Sequence, residues 1–187
     1  MFELYQTKKG SRGSLAEVWI DKDAGLVKKH YKPNGITIRG TRPLYDTMDA
    51  ISSLFWNEIK WSAELKSRFV LEIYEHGELV DGPGYYVVQE YVGPDLLRYY
   101  DGKQLSNDIP NPKEQLVDMF RYFSEKNVYK INNAMCNMVN DRGVIKAFDF
   151  KYATSRTAES RPYEIYSIDT WLSKIDNTLP TVLLDYV

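Results

Sequence analysis

The sequence has almost no cysteine. Cys136 is the only one in 187 residues, so no intrachain disulfide can form, which suits a reducing compartment. Histidine is nearly as scarce. His30 and His76, together with Cys136, are too few and too scattered for a zinc site. An excess of either charge is also missing. The formal net charge of -2 gives no electrostatic case for nucleic acid or an anionic membrane. No apolar run approaches the roughly 20 residues of a membrane span. The opening MFELYQTKKGSRGS lacks the apolar core of a signal peptide. No internal repeat is present, and the 15 tyrosines are dispersed rather than gathered into a low-complexity tract. What is left is a chain of ordinary globular composition, long enough for one domain or two small lobes with a core. The expected form is a cytoplasmic monomer.

The N-terminal part reads as three strands: Phe2 to Thr7, Leu15 to Ile20 and Leu26 to Lys32. A Gly/Ser/basic loop, Lys8 to Ser14, separates the first two, and the turn Asp21 to Gly25 separates the second and third. Glycines let backbone N–H groups approach a phosphate, and Lys28 or Lys29 would add a point charge. The same loop also reads as an ordinary turn. Pro33 to Tyr45 is a loop, basic at Arg39 and Arg42, either simply exposed or a dock for an acidic substrate. A helix follows from about Thr47 to Lys66, capped by Asp46. Ile51, Leu54, Phe55, Ile59, Ser62 and Leu65 form its buried stripe. Glu58 lies on the border of that stripe. It is a solvated carboxylate unless a buried-side partner such as Lys28 meets it. Two further strands, Phe69 to Tyr74 and Tyr85 to Tyr91, lead to Gly93-Pro94-Asp95, the expected lobe boundary. Leu96 to Tyr100 reads as a short helix. Asn111-Pro112-Lys113-Glu114 then starts a longer one, with Asn at N-cap, Pro at N1 and Glu at N3. Leu116, Met119, Phe120 and Phe123 are its apolar stripe.

That helix delivers the chain into Val128 to Ala153, a loop followed by two short strands around the turn Asn140-Asp141-Arg142-Gly143. Asn132 and Asn137 stand before the hairpin and Asp149 closes it. A hairpin brings its flanks together, so an amide and a carboxylate can converge on one hard cation. Mg2+ takes oxygen ligands, usually a few from protein and the rest from water and phosphate. The competing reading is plain: Asn137 caps a turn, and the polar residues are surface. Asp149, in the strand-like AFDF, is the hardest to explain that way, because buried carboxylates are rare unless paired or metal-bound. A further helix is expected around Glu164 to Ile175.

The order is five strands with one inserted helix, a linker, a helix, then a loop and hairpin bearing Asn and Asp. With the motifs GSLAEVW (Gly13 to Trp19), LVKK (Leu26 to Lys29), NEIKWSAEL (Asn57 to Leu65), YYVVQEYVGPDLL (Tyr85 to Leu97), KINNAMCNMV (Lys130 to Val139), Asp149-Phe150-Lys151 and Asp169-Thr170-Trp171, it resembles the protein-kinase-like superfamily over nearly the whole chain. The resemblance implies an α+β, two-lobed fold in one kinase-like domain. Its N-lobe (1–92) has a five-stranded antiparallel sheet plus one helix, and its C-lobe (93–187) is reduced and mainly helical. It implies ATP and Mg2+ as cofactors. Gly10, Ser11, Gly13, Ser14 and Val18 would cover the nucleotide, though Ala16 stands where the loop's last Gly usually is. Lys28 would hold the phosphates, with Lys29 the alternative if register slips by one. Glu58 would orient the lysine. Gln89 takes the gatekeeper place, and Glu90 to Val92 would offer backbone to an adenine. Asn137 and Asp149 would hold the metal.

Two departures follow from the same alignment. KINNAMCN matches H-R-D-L-x-x-x-N without a gap, which puts Asn132 where the catalytic Asp belongs and Lys130 where the His does. An amide has nearly the shape of a carboxylate but cannot act as a base, and losing a positioned base typically costs about 10²–10⁴ in rate. A natural pseudokinase, an atypical kinase with its base elsewhere, and an engineered Asp→Asn change all fit. Second, the chain past Asp149 is short, with Lys151 in place of the Gly of D-F-G and no clear A-P-E. Small bacterial or viral kinases, including host-directed effectors delivered into a host cytoplasm, are the kind of member it resembles. The expected function is an ATP/Mg-dependent serine/threonine kinase acting on a protein substrate. The alternatives are a pseudokinase that scaffolds a partner and a small-molecule kinase.

Overall fold

The computed structural model describes residues 1–5, 16–33, 47–96, 108–129 and 137–157. The chain divides into two units: Met1–Lys60 with Glu72–Tyr91, and Trp61–Leu71 with Val92–Val187.

The first unit is a five-stranded antiparallel sheet in the order β1-β2-β3-β5-β4. Its strands are β1 (Glu3–Leu4), β2 (Ala16–Asp21), β3 (Leu26–Tyr31), β4 (Ile73–Glu78) and β5 (Tyr85–Glu90). Helix α1 (Met48–Glu64) is inserted between β3 and β4. Its first turn is closed by the Thr47 hydroxyl, which accepts from the Ala50 N–H at 3.3 Å; the expected cap, Asp46, lies outside the described residues. Ile51 and Phe55 are buried with Tyr31 and Val87, and the Phe55 ring stacks on Tyr85 at 4.5 Å. Side chains alternate across a strand. Val27, Lys29 and Tyr31 of β3 are therefore buried, whereas Lys28 and His30 on the opposite face are half-buried.

β4 differs from the expected Phe69–Tyr74. Phe69, Val70 and Leu71 look like the start of a strand but belong to the core of the second unit. The Ala147 N–H donates to the Phe69 carbonyl at 2.7 Å, and the Leu71 N–H to the Ala147 carbonyl at 3.1 Å. Trp61 and Leu65, at the end of α1, share that core. The turn after β4 needs glycine: Gly84 has φ 139°, and a Cβ there would stand 2.3 Å from the Tyr31 carbonyl.

The second unit is built on α2 (Pro112–Glu125), which buries Leu116, Met119, Phe120 and Phe123 as its spacing requires. Asn111 is its N-cap residue, as expected, in a left-handed conformation, φ 47°, and its side chain makes no capping bond. Past the helix's C-cap, Lys126, comes Asn127 at φ 56°, whose N–H donates to the Ser124 carbonyl. The short strand β6 (Val128–Tyr129) follows and pairs with β9 (Thr154–Ser155). Between them is the hairpin of β7 (Met138–Asp141) and β8 (Val144–Ala147). Its two-residue loop has Arg142 at φ 50° and Gly143 at φ 91°, the backbone such a tight antiparallel turn demands. Gln115 of α2 clamps the turn. Its amide donates to the Gly143 carbonyl at 2.7 Å and accepts from the Ile145 N–H at 2.9 Å. The helices expected at Leu96–Tyr100 (past Leu96) and Glu164–Ile175, and the loop Pro33–Tyr45 (past Pro33), lie outside the described residues.

Candidate functional site

In the first unit, three polar side chains meet in a nearly dry place. Glu58 is 1% exposed and lies within the buried stripe of α1, not on its border. Lys29 Nζ lies 2.7 Å from Glu58 Oε1, and the Tyr31 hydroxyl donates to Glu58 Oε2 at 2.5 Å. Each carboxylate oxygen thus has its own donor. Burying an ion pair costs desolvation that attraction repays only with good geometry and further hydrogen bonds; Tyr31 is such a further bond. The pairing lysine is therefore Lys29, not Lys28. The reason is register. Lys29 is opposite Val18 on one side and Val87 on the other, on the face turned to Glu58. Lys28, one residue earlier, is on the other face with its ammonium 4.7 Å from the centroid of the Tyr86 ring. On that face His30 Nδ1 is 3.9 Å from Glu17 Oε2. Burial, then the charges of Lys28 and Lys32, hold its imidazole below the ordinary value, and Glu17 opposes them.

Gln89 is buried on β5, on the Lys29 face and opposite Val27. The Glu90 N–H donates to the Glu72 carbonyl at 2.9 Å, and the Tyr91 N–H to the Gly25 carbonyl at 2.8 Å. Two backbone donors of the expected adenine-binding segment are thus engaged within the unit.

In the second unit, the hairpin sets Asn137 and Asp149 at its open end. Met138 pairs with Ala147, and the Phe148 N–H donates to the Asn137 carbonyl at 3.0 Å. Asn137 is 6% exposed. Asp149 follows with φ 67°, a left-handed conformation that Asp adopts more readily than most residues with a Cβ. Phe150, fully buried, packs edge-on to Phe123 with ring centroids 5.8 Å apart and fixes the backbone there. Lys151 Nζ lies 2.5 Å from Asp149 Oδ1. At the closed end of the hairpin, the hydrogen bond from Lys146 holds the Asp141 carboxyl below the usual range, with Arg142 adding to it.

Among the described residues, no group of three or more His, Cys, Asp or Glu side chains is placed to hold a metal ion. An amide and one carboxylate are instead a donor set of hard oxygens, the small protein share that Mg2+ commonly takes. No helix of the described residues is long and apolar enough to cross a membrane.

No family model and no curated protein matches the sequence. Among solved structures, the co-crystal structure of WbdD and the kinase inhibitor LY294002 is similar to this chain. Sequence identity is 15% and the TM-score 0.64, over 96% of this chain and 38% of that one. The fold is protein-kinase-like. At this identity the likeness speaks to the fold alone, and this chain spans well under half the length of that one.

In the kinase-like frame, Val18, Glu58 and Gln89 share the buried side of the sheet and helix, and Asn137 and Asp149 share one end of the hairpin. Gly10, Ser11, Gly13, Ser14 and Asn132 lie outside the described residues, as do Lys130, Cys136 and Asp169-Thr170-Trp171. Two contacts escaped the sequence reading: Tyr31 on Glu58, and Lys151 on Asp149. The first had a signal. Val27, Lys29 and Tyr31 alternate on one face, so a lysine flanked by two core residues points to the core.

Proposed function

We propose that this protein is an ATP- and Mg2+-dependent phosphotransferase acting on a serine or threonine hydroxyl of a protein, with Asn132 in the place of the catalytic base. The observation that carries the reading is the buried Lys29–Glu58 pair with Tyr31 on its second oxygen. Replacing a buried ion pair by apolar residues is often neutral or stabilising, so its presence asks for a reason beyond stability. A lysine held in fixed position by a buried carboxylate is suited to pairing with nucleotide phosphates. Asp149 and Asn137 would supply the protein's oxygens to Mg2+, which neutralises charge on the transferring phosphoryl group when bound. Adenine recognition along Glu90–Val92 would use groups other than the Glu90 and Tyr91 N–H donors. Phosphoryl transfer relies mainly on positioning and charge stabilisation, so activity can survive an amide at position 132, at a reduced rate.

A second reading, a pseudokinase that binds a partner, is favoured by Lys151 on Asp149. A thermal-shift series tests the kinase reading. Ligand at about 100 times its Kd adds roughly 2.7 kcal/mol to stability. A rise in Tm with millimolar ATP and Mg2+ is expected; no rise with any nucleotide would sink the kinase reading. Asn132→Asp then divides the two readings. The kinase reading expects phosphate transfer to rise by about 10²–10⁴, whereas the scaffold reading expects nucleotide binding without transfer in either version.

A further inference from the structure

We propose that Lys151 is a tethered cation that competes with a divalent metal ion for Asp149, and so sets how weakly this chain holds the metal. The proposal rests on the reading that Asp149 is a metal-binding carboxylate. Three observations carry it. Lys151 Nζ is 2.5 Å from Asp149 Oδ1, with the two side chains 13% and 15% exposed, so solvent screens the contact only in part. The approach is built into the backbone. Phe150 is anchored in the core, the Ala153 N–H donates to the Phe150 carbonyl at 2.8 Å, and Asp149 is left-handed at φ 67°. This turn returns residue 151 toward residue 149, and in an extended strand side chains two apart would run parallel instead. Finally, the contact sets a cation beside the carboxylate that a metal would use. The Lys151 ammonium occupies one of the lone pairs of Asp149, and a metal on any other would stand beside a like charge.

The consequence is a site already neutralised in the absence of metal. Divalent binding must displace the Lys151 ammonium or tolerate it. A cation within about 4–6 Å of a carboxylate lowers its affinity for a proton by one or more powers of ten, and the same repulsion acts on a metal ion. Removing the Lys151 charge should therefore tighten metal binding by about tenfold or more.

The test uses Mn2+ as the probe, on the full chain, with free Mn2+ followed by electron paramagnetic resonance and folding by circular dichroism. Wild type should bind weakly and Lys151→Met about tenfold or more tightly. Lys151→Arg, which keeps the charge, should stay weak. Asp149→Asn in the Lys151→Met background should lose the gain. Should Lys151→Met fail to fold, Lys151→Gln carries the same expectation. Equal or weaker Mn2+ binding by the uncharged variants, with wild type still binding, overturns this proposal and leaves the metal reading intact. Absence of Mn2+ binding in every version overturns both.

Discussion

Lys29–Glu58 in the first unit and Lys151–Asp149 in the second are the same chemical contact made in two different ways. The first joins a strand to a helix across 29 positions of sequence; the second joins residues two apart. Glu58 is 1% exposed and has a donor on each oxygen, whereas Asp149 is 15% exposed. A pair of the first kind exists only when the unit is folded. A pair of the second kind is set by one turn and one left-handed residue, and it is less deeply buried. The chain therefore holds one lysine–carboxylate contact as framework and one as a local contact.

Breaking the framework pair should give the largest effect. Glu58→Ala removes the carboxylate that Lys29 and the Tyr31 hydroxyl share. Loss of one member of a buried pair costs about 3–5 kcal/mol, which urea unfolding would read as a lower midpoint at unchanged slope. Lys28→Met, one residue along the same strand, removes a cation lying over a ring and should cost about 1 kcal/mol or less. Equal losses from Lys28→Met and Lys29→Met would contradict the register. Tyr31→Phe comes next. It removes one hydrogen bond to a charged group, at about 1.5–3 kcal/mol, and should weaken nucleotide binding as Glu58 loses half its hold.

Exchanging the local contact should do less to the fold. Lys151→Met is expected to lower stability by about 1–2 kcal/mol, below the loss from Glu58→Ala, in the same urea measurement. A larger loss than Glu58→Ala would mean that the second pair is framework too.

The smallest effect is a pH dependence on the far face of β3. The folded pKa of His30 is held below the ordinary 6.5 by burial and by Lys28 and Lys32. The unfolded chain then binds the proton more readily, so stability rises with pH from the depressed folded value up to about 6.5 and levels off above. His30→Gln should flatten that part of the Tm–pH curve. A curve that keeps its slope assigns it to another group.

Much of this was legible in the sequence, for physical reasons that vary by element. Alternation and Gly-bearing turns define the antiparallel strands well, and the tight turn at Arg142-Gly143 fixes the hairpin register and so the nearness of Asn137 to Asp149. Glu58 on α1 was legible from helical spacing, though as a border residue rather than a buried one. What failed was burial that depends on distant sequence. Phe69-Val70-Leu71 has the composition of a strand, yet its partner is Ala147, a residue that no local pattern connects to it. Lys28 and Lys29 are equivalent as residue types. The choice falls to Lys29 through the core positions on either side, Val27 and Tyr31, and that alternation could have been read. Lys151 on Asp149 could not have been, because it depends on a left-handed Asp149 that no residue type there dictates.

The kinase reading is tested most directly by equilibrium binding of ATP to the wild-type chain, with and without Mg2+, by isothermal titration calorimetry. It predicts saturable one-to-one binding that tightens when Mg2+ is present. It also predicts that Lys29→Met loses this binding while Lys28→Met keeps it. No binding of ATP or any other nucleotide, or binding that follows Lys28 and ignores Lys29, would contradict it.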